Sequence, residues 1–450
     1  MVLKTLQAAL DQDGYQDIRF EEMASTIIKV KNEDINEVNV SEKSGGHARA
    51  LIGGGYGKYS FNLLEEAQAA VQSSKDFSAQ IDGKKGLAEA PVVQDTILLD
   101  IDVDPRNISV DDKVKLLAHY CKLAYDQEEL EVAEGEYYEQ YFKKTFVNNE
   151  GTSIEQEQMI CGMSFRFTSK RDNLTQNTRL AFGGTQSFAD MYDQDKAVLA
   201  KVQQTVDLLS AKPLEGGIYD VVLDNEVGGL FIHEAFGHLS EADNLLSSDA
   251  LKDTMSLGRE FGSSILNVVD DPGETGFPGS YLYDDEGVKG QRTYLIKEGK
   301  LSGRLHSRLT AGHTGEAVTG HARAKNFEFT PIVRMGNIYI EPGTHSKEDL
   351  IAATKKGVYL FGSAGGQTSG DAFTFAVQGG YLIEDGKITD MVRDIALSGD
   401  LFTTLKNIDM ISDTVSMRKR GGCGKAGQIL STSGNGSPYV RIQSMPIGGK

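Results

Sequence analysis

In the first half of the chain, several segments alternate between apolar and polar residues, and this period of two predicts β-strands. The predicted strands are residues 17–20, 25–31, 35–40, 48–52, 136–148, 152–169 and 179–188. Other segments repeat their apolar residues every three to four positions, which predicts amphipathic helices at residues 3–12, 62–72, 110–125 and 193–209. Strands and helices that mix in this way up to about residue 213 predict an N-terminal α/β domain.

Proline and glycine punctuate residues 213–217, and we place a domain boundary there, between domains of residues 1–213 and 214–450. Beyond it, strands are predicted at residues 218–224, 293–296, 332–340, 372–383 and 387–396, and helices at 347–354 and 401–411. Residues 362–371 are rich in glycine and predict a loop, either beside a site or without a special role. The predicted fold class is α+β, an N-terminal α/β domain followed by a mostly antiparallel β domain.

Composition and charge narrow the classes of function. The 450 residues are 39% hydrophobic and 25% charged, which is ordinary for a soluble protein. The formal net charge of −19 argues against nucleic acid or acidic membranes as partners, because like charges repel. No run of roughly 18 apolar residues predicts a membrane span, and the first residues lack the apolar core of a signal peptide. Three widely spaced cysteines favour a reducing cytoplasm over a disulfide framework.

The strongest chemical signal is the motif H-E-x-x-x-H, formed by His233, Glu234 and His238. Two imidazoles and a carboxylate so close together suit a metal site with its own general base. On a regular helix, residues five apart point about 140° away from each other, so one ion could not easily bind both histidines. If they share a metal, the spacing predicts a distorted helix, with either a π-bulge or a break at Gly237. A chance pair of structural histidines is the alternative.

The residues before this motif predict a rigid support for it. The strand at residues 218–224 ends at Asp224, and Asp224 and Asn225 are good N-cap residues for a helix that follows. Gly228 and Gly229 would let this helix start close to other backbone. The C-terminal β domain is therefore expected to carry the motif on a short, well-anchored helix.

A third candidate ligand, Cys423, lies far downstream in the glycine-rich residues 418–428. Glycines on both sides of it would let the backbone bring the thiol against another element. The basic residues Lys419, Arg420 and Lys425 would favour the thiolate, which is the form that binds metal. The alternative is a solvated basic turn that contains an incidental cysteine.

Acidic residues near the motif and further along leave two further questions open. Glu241 follows His238 by three residues, so it could orient that imidazole as a carboxylate behind a metal ligand, or it could be a surface acid. The turn Asp284–Glu286 could bind a hard cation, although a single acidic turn is more often solvated.

With these motifs the sequence resembles the TldD/PmbA family, also called modulator of DNA gyrase. TldD-type members carry H-E-A-x-G-H-x-x-E-x-D, which matches His233 to Asp243, and a late G-x-C-G-K-x-G-Q, which matches Gly421 to Gln428. The PmbA (TldE) type lacks the H-E-x-x-x-H ligands, so the resemblance is to the metal-bearing type. It implies that the metal is bound by two histidines and one cysteine, and that a glutamate is catalytic. These residues are His233, His238, Cys423 and Glu234.

These observations together predict a metallopeptidase, most simply a zinc hydrolase with one coordination position open to water. The metal would lower the pKa of that water and polarise the scissile carbonyl. Glu234 would accept the proton of the water as general base and pass it to the leaving amine. The resemblance implies peptides or unfolded polypeptides as substrates, a cytoplasmic location, and a dimer, either of two identical chains or with a PmbA-type partner.

Two other functions remain open at this point. One is a non-catalytic binding or regulatory subunit, in which the metal is structural or absent. The other is a non-haem iron enzyme, because two histidines and one further ligand can hold Fe(II). A cysteine in place of the usual carboxylate makes the iron enzyme the weaker of the two.

Overall fold

The computed structural model describes residues 1–82 and 86–448, and the first half of the chain is built around one sheet. Its strands are β1 (Tyr15–Lys31), β2 (Asp34–Leu51), β3 (Gly57–Phe61), β4 (Gln94–Ile97), β5 (Leu130–Asn148), β6 (Ser153–Arg171) and β7 (Leu174–Thr185). They lie in the order β3-β2-β1-β5-β6-β4, and β7 pairs with the rest of β6. Every pair is antiparallel except β4 with β6.

Four helices accompany this sheet within the described residues. They are α1 (Val2–Ala8), α2 (Ala67–Ala79), α3 (Val110–Tyr125) and α4 (Asp195–Asp207). The bounds of α3 are those that the sequence predicts, and Ser109 caps it by accepting a hydrogen bond from the Asp112 backbone N–H. Its apolar face buries Leu117, Tyr120 and Cys121 against the sheet.

The predicted strands 17–20 and 25–31 are one continuous strand, β1. The alternation is interrupted at Glu21, which looks like the end of a strand when the sequence is read alone. In the structure Glu21 is fully buried and pairs with Arg19 across 2.7 Å, so a charged residue continues the inner face. Residues 35–40 and 48–52 merge into β2 in the same way.

The second half of the chain is mostly β-structure with short helices. Its strands are β8 (Lys212–Pro213), β9 (Gly217–Leu223), β10 (Val268–Asp270), β11 (Thr293–Lys297), β12 (Lys300–Leu301), β13 (Ala322–Arg323), β14 (Ile332–Val333), β15 (Asn337–Ile340), β16 (Lys356–Ser369), β17 (Ala372–Glu384), β18 (Lys387–Arg393), β19 (Ala396–Asp400), β20 (Ile408–Ile411), β21 (Ser416–Met417), β22 (Cys423–Lys425), β23 (Gln428–Leu430), β24 (Gly434–Ser437) and β25 (Val440–Gly448). Its helices are α5 (Asn225–Ile232), α6 (Asp249–Thr254), α7 (Arg308–Thr314), α8 (Lys347–Ala353) and α9 (Leu401–Lys406).

Two sheets in this half position the motif helix α5. In one sheet, β16, β9, β25, β19 and β17 pair in turn, and β17 pairs back with β16 to close the ring. The other sheet places β24 parallel to β15. Helix α5 packs against both sheets, and Phe231 contacts Phe373 with ring centroids 5.4 Å apart. The C-terminal core therefore surrounds the element that carries the histidines.

Two predicted segments of this half are wrong. Residues 362–371, predicted as a loop, lie in β16 and its hairpin with β17, where Gly362 and Gly365 have φ of 69° and 111° beside a bulge. Backbone pairing with β17 overrides a composition typical of loops. The predicted helix 401–411 ends at Lys406, because the following residues pair with β25 as β20.

The arrangement confirms the α+β fold class, with a mostly antiparallel second half that carries the motif helix. The domain boundary between residues 213 and 214 stays a prediction. In the part of the chain that the structure describes, no helix is both long and apolar enough to cross a membrane. Cys121, Cys161 and Cys423 are all buried and form no disulfide.

Candidate metal centre

The motif helix α5 is anchored at its first turn. The carboxylate of Asp224 accepts hydrogen bonds from the backbone N–H groups of Val227 and Gly362, each 2.8 Å long, and so ties the helix to β16. A side chain at Gly228 would collide with Ser437 of β24, so glycine lets the two backbones approach closely. The sequence predicts both the cap and the close approach, and the motif begins where this fixed helix ends.

A π-helical turn spans His233–Gly237 and separates the two motif histidines. It is one of the two distortions that the spacing predicts, and Gly237 itself keeps helical backbone angles. The wider turn brings residues five apart onto one side, and the ring centroids of His233 and His238 lie 5.3 Å apart. A side chain at Gly237 would collide with Met335, so the turn packs tightly on its far side.

Cys423 completes a cluster with these two histidines. Ring nitrogens of His233 and His238 and the Cys423 sulfur all lie within 4.8 Å of one another, and the sulfur is 3.3 Å from Nε2 of His238. The buried side chain of Arg334 donates a 2.6 Å hydrogen bond to the Cys423 carbonyl and fixes the start of β22. The structure thus brings together the three residues that the sequence puts forward as ligands, whereas the fixing role of Arg334 was not predicted.

A buried carboxylate holds one of the imidazoles. Nδ1 of His238 donates to Glu241 across 2.9 Å, and the Glu241 carboxylate also pairs with Lys425 at 2.9 Å. Glu241 is fully buried, so the surface alternative for it is wrong. Burial opposes ionisation of Glu241, yet the bonds to His238 and Lys425 lower its pKa. Burial likewise opposes the charged imidazole, but bonds to Cys423 and Glu241 raise the pKa of His238 to about 10.

Two of the three basic residues around Cys423, Lys425 and Arg420, are engaged elsewhere. Lys425 bonds to Asp243 at 2.6 Å as well as to Glu241, and Arg420 pairs with Glu136 at 2.5 Å. Neither of these two side chains therefore favours the thiolate through a direct bond to it. Lys425 acts on the cluster through Glu241, a contact between residues too far apart in the sequence for any motif to predict.

His233 shows that the cluster suits a metal. It is 1% exposed, and neither of its ring nitrogens has a hydrogen-bond partner among the residues the structure describes. An unpaired buried imidazole is costly, and burial lowers its pKa well below the ordinary value, which leaves a neutral ring with a free lone pair. Two imidazoles and a thiol are the donor set that zinc prefers. The side chains present therefore fit a divalent ion.

Glu234 stands beside the cluster and is not part of it. Its side chain is half-buried, and burial raises its pKa, while the positive charges of His238 and Arg418 act in the opposite direction. A carboxylate with a raised pKa next to a metal site is suited to accept and return a proton. Sequence reasoning did not single out Arg418.

The acidic turn Asp284–Glu286 lies apart from the cluster and has a different role. All three side chains are buried, so it is not solvated. Asp285 pairs with Lys144 of β5 at 2.8 Å, and Glu286 pairs with Arg49 of β2 at 2.9 Å. These ion pairs join the N-terminal sheet to the second half of the chain, and the turn offers no free carboxylates for a hard cation.

Known proteins show the same architecture. Models of the PmbA/TldA metallopeptidase C-terminal and central domains match residues 216–449 and 103–209. A metalloprotease of Synechocystis sp. is 36% identical over 441 residues, 97% of this chain and 95% of that protein. A zinc metalloprotease TldD homolog of Saccharolobus solfataricus is 32% identical over 317 residues, 70% of each chain. TldE from Thermococcus kodakarensis, 15% identical, has a TM-score of 0.80 and covers 100% of this chain and 99% of its own, which shows a common fold.

Proposed function

The chain belongs to the TldD/PmbA family of metallopeptidases, and from this premise we propose that it hydrolyses peptides or unfolded polypeptides with a bound divalent metal. One observation carries the proposal: the unpaired, buried imidazole of His233 converges with His238 and Cys423 beside the carboxylate of Glu234. A non-catalytic subunit would have no use for a proton acceptor at that place.

His233, His238 and Cys423 would hold the ion, and we propose zinc because the donors are two imidazoles and a thiolate. When bound, such an ion supplies Lewis acidity, which acidifies water and polarises a carbonyl group. Glu234 takes the proton of the attacking water on its carboxylate. It then returns that proton to the amine nitrogen of the leaving peptide.

Glu241 and Lys425 keep the site in its working form. The bond from His238 Nδ1 to Glu241 fixes the ring so that Nε2 faces the Cys423 sulfur. Lys425 stabilises the ionised state of Glu241, because a buried carboxylate without a counter-charge would take up a proton. Arg334 keeps Cys423 at the same place by holding its backbone.

The chain is proposed to act in the cytoplasm as a dimer. Buried cysteines without disulfides suit a reducing compartment. The partner is either a second copy or a PmbA-type chain, and the fold shared with TldE supports the latter, because two chains of one fold can pair with pseudo-symmetry.

Elemental analysis of the purified chain beside His238→Ala and Cys423→Ala variants tests the ligand set. About one zinc per chain in the parent, lost in both variants, is the expected result, because a site with three protein ligands does not survive the loss of one. A Cys121→Ala variant is the matched control, since Cys121 is also buried but lies in the N-terminal core. Full metal content in Cys423→Ala would show that the three-ligand site is wrong.

Peptide hydrolysis then separates an enzyme from a binding subunit. The zinc-loaded parent should cleave an unstructured peptide, and a chelator should abolish the cleavage. If the parent with full zinc content cleaves no peptide, either alone or with a PmbA-type chain, the result favours the non-catalytic function.

A further inference from the structure

A groove of about 640 Å³ lies between the N-terminal sheet and the metal-bearing half of the chain. One wall comes from β1, β5, β6 and β7, and the other from the start of α5, from β16 and β17, and from residues 416–422. Residues 416–422 lead directly into Cys423. The groove therefore runs alongside the two chain segments that end in the candidate ligands.

The charge of this groove is opposite to that of the protein. Seven of its lining residues are basic and three are acidic, in a chain with a net charge of −19. The acidic side chains Glu134 and Glu136 are used by ion pairs with Lys31 and Arg420. Four other cations have no ion pair among the described residues, and these are Arg166, Arg179, Arg418 and Lys419.

Arg418 differs from the other three because its side chain is half-buried while theirs are exposed. Its backbone is fixed by a 2.8 Å hydrogen bond from its N–H to the Asn435 carbonyl, so the guanidinium is presented from a defined place. Burial lowers the pKa of Arg418, and the charges of Glu226 and Glu234 offset this only in part. A partly desolvated cation without a counter-ion gains more from an added anion than a hydrated one does.

Arg418 lies five residues before Cys423, and Glu226 of the first turn of α5 lines the same groove, so the guanidinium lies on the two segments that end in the candidate ligands. A group bound by Arg418 would thus lie in the groove beside the chain segments that lead to the candidate metal centre. Ser363 gives a second, independent sign of a binding surface. Its side chain lines the same groove, is 2% exposed, and its hydroxyl has no hydrogen-bond partner among the residues described here.

We propose that Arg418 binds a carboxylate of the peptide substrate in this groove and so selects which peptides reach Glu234. The planar guanidinium matches a carboxylate with two parallel hydrogen bonds, which gives direction as well as charge. The carboxylate is either the C-terminus of the peptide or an aspartate or glutamate side chain. This inference rests on the proposed peptidase function and adds a class of substrate to it.

The test compares three versions of one unstructured peptide with the zinc-loaded full chain. The first has a free C-terminus and one internal glutamate, the second a C-terminal amide, and the third glutamine in place of the glutamate. The parent should cleave the first peptide with kcat/KM about 10- to 100-fold above one of the other two, as a charge-assisted hydrogen bond predicts. An effect of the amide alone identifies the C-terminus, and an effect of glutamine alone identifies a side chain.

Variants at residue 418 connect the preference to the guanidinium. Arg418→Gln should abolish the preference by raising KM for the first peptide, with zinc content unchanged. Arg418→Lys should keep part of it, because the charge stays but the two-pronged bond is lost. Lys143→Gln removes a half-buried charge outside the groove and should leave the preference intact.

Two outcomes would overturn the inference while the peptidase stands: equal cleavage of all three peptides by the parent, or an equal loss on all three in Arg418→Gln. If the parent cleaves no peptide, the proposed function fails. Peptide binding then tests the carboxylate site in the groove separately. Fluorescence anisotropy of the three labelled peptides with the parent and with Arg418→Gln measures it. A preference that needs Arg418 supports the carboxylate site, and uniform binding rejects it.

Discussion

Two groups of buried polar side chains, the His233–His238–Cys423 cluster and the acidic turn Asp284–Glu286, differ in how fully their atoms are paired. In the turn, every carboxylate accepts a hydrogen bond from a backbone N–H or a cationic side chain. The bonds from cationic side chains connect the turn to the N-terminal half of the chain. In the cluster, His233 is as deeply buried, and its ring nitrogens have no hydrogen-bond partner in the described part of the chain. Both are rich in candidate ligands when the sequence is read. Incomplete pairing, rather than the residue types, distinguishes the proposed metal site from a structural contact.

The largest expected effect is on catalysis at the cluster, in Glu234→Gln. Removal of a general base should lower kcat by about 10²- to 10⁴-fold, while zinc content and the urea midpoint stay near the parent's. Rates on an unstructured peptide, with elemental analysis of the same sample, give the answer. Loss of zinc together with activity would instead make Glu234 a ligand.

The second effect is on stability, at the turn. Arg49→Met leaves the buried carboxylates of Asp17 and Glu286 without their cation and should cost about 3–5 kcal/mol of unfolding free energy. Urea denaturation of the metal-free protein measures it. Arg106→Met is the control, because Arg106 pairs with Asp104 near the surface and should cost about 1 kcal/mol or less. Similar losses of unfolding free energy in both variants would mean that the buried ion pairs of the turn stabilise the protein no more than a surface ion pair does.

Glu241→Gln should weaken zinc binding on the order of tenfold to a hundredfold, because the His238 ring loses its charged partner. Competition with a chromophoric chelator measures the affinity. An unchanged affinity would return Glu241 to a purely structural role.

The smallest effect reverses the usual sign of a core mutation. In the metal-free protein, His233→Leu removes two unpaired buried nitrogens and should raise the unfolding free energy by about 1 kcal/mol. Urea midpoints with and without a chelator show this, since zinc should stabilise the parent and not the variant. A variant less stable than the metal-free parent would mean that His233 has a packing role that outweighs its unpaired atoms.

The sequence predicts what local chemistry determines. The amphipathic repeat predicts helix α3 to the residue, and the five-residue histidine spacing predicts a distortion of which the π-helical turn is one of two forms. Contacts between distant residues are beyond such patterns. Lys144 of β5 lies 3.8 Å from the buried Glu21 of β1, and Lys425 meets Asp243 across 182 residues of chain. Cys423 is a candidate ligand from its glycine and basic neighbours, and the family resemblance supports its place beside His238, since neither spacing nor periodicity links the two residues.

The π-helical turn also accommodates one extra residue while it preserves the rotational phase of the chain that follows it. It holds one residue more than an α-helical turn, so deletion of Phe236 would restore a regular helix with histidines four apart. The two imidazoles would still face the same way. Glu241 lies three residues beyond His238, so it would keep its place beside the ring that it holds. The five-residue and the four-residue histidine spacings can therefore present the same pair of imidazoles, because the π-helical turn absorbs the extra residue within itself.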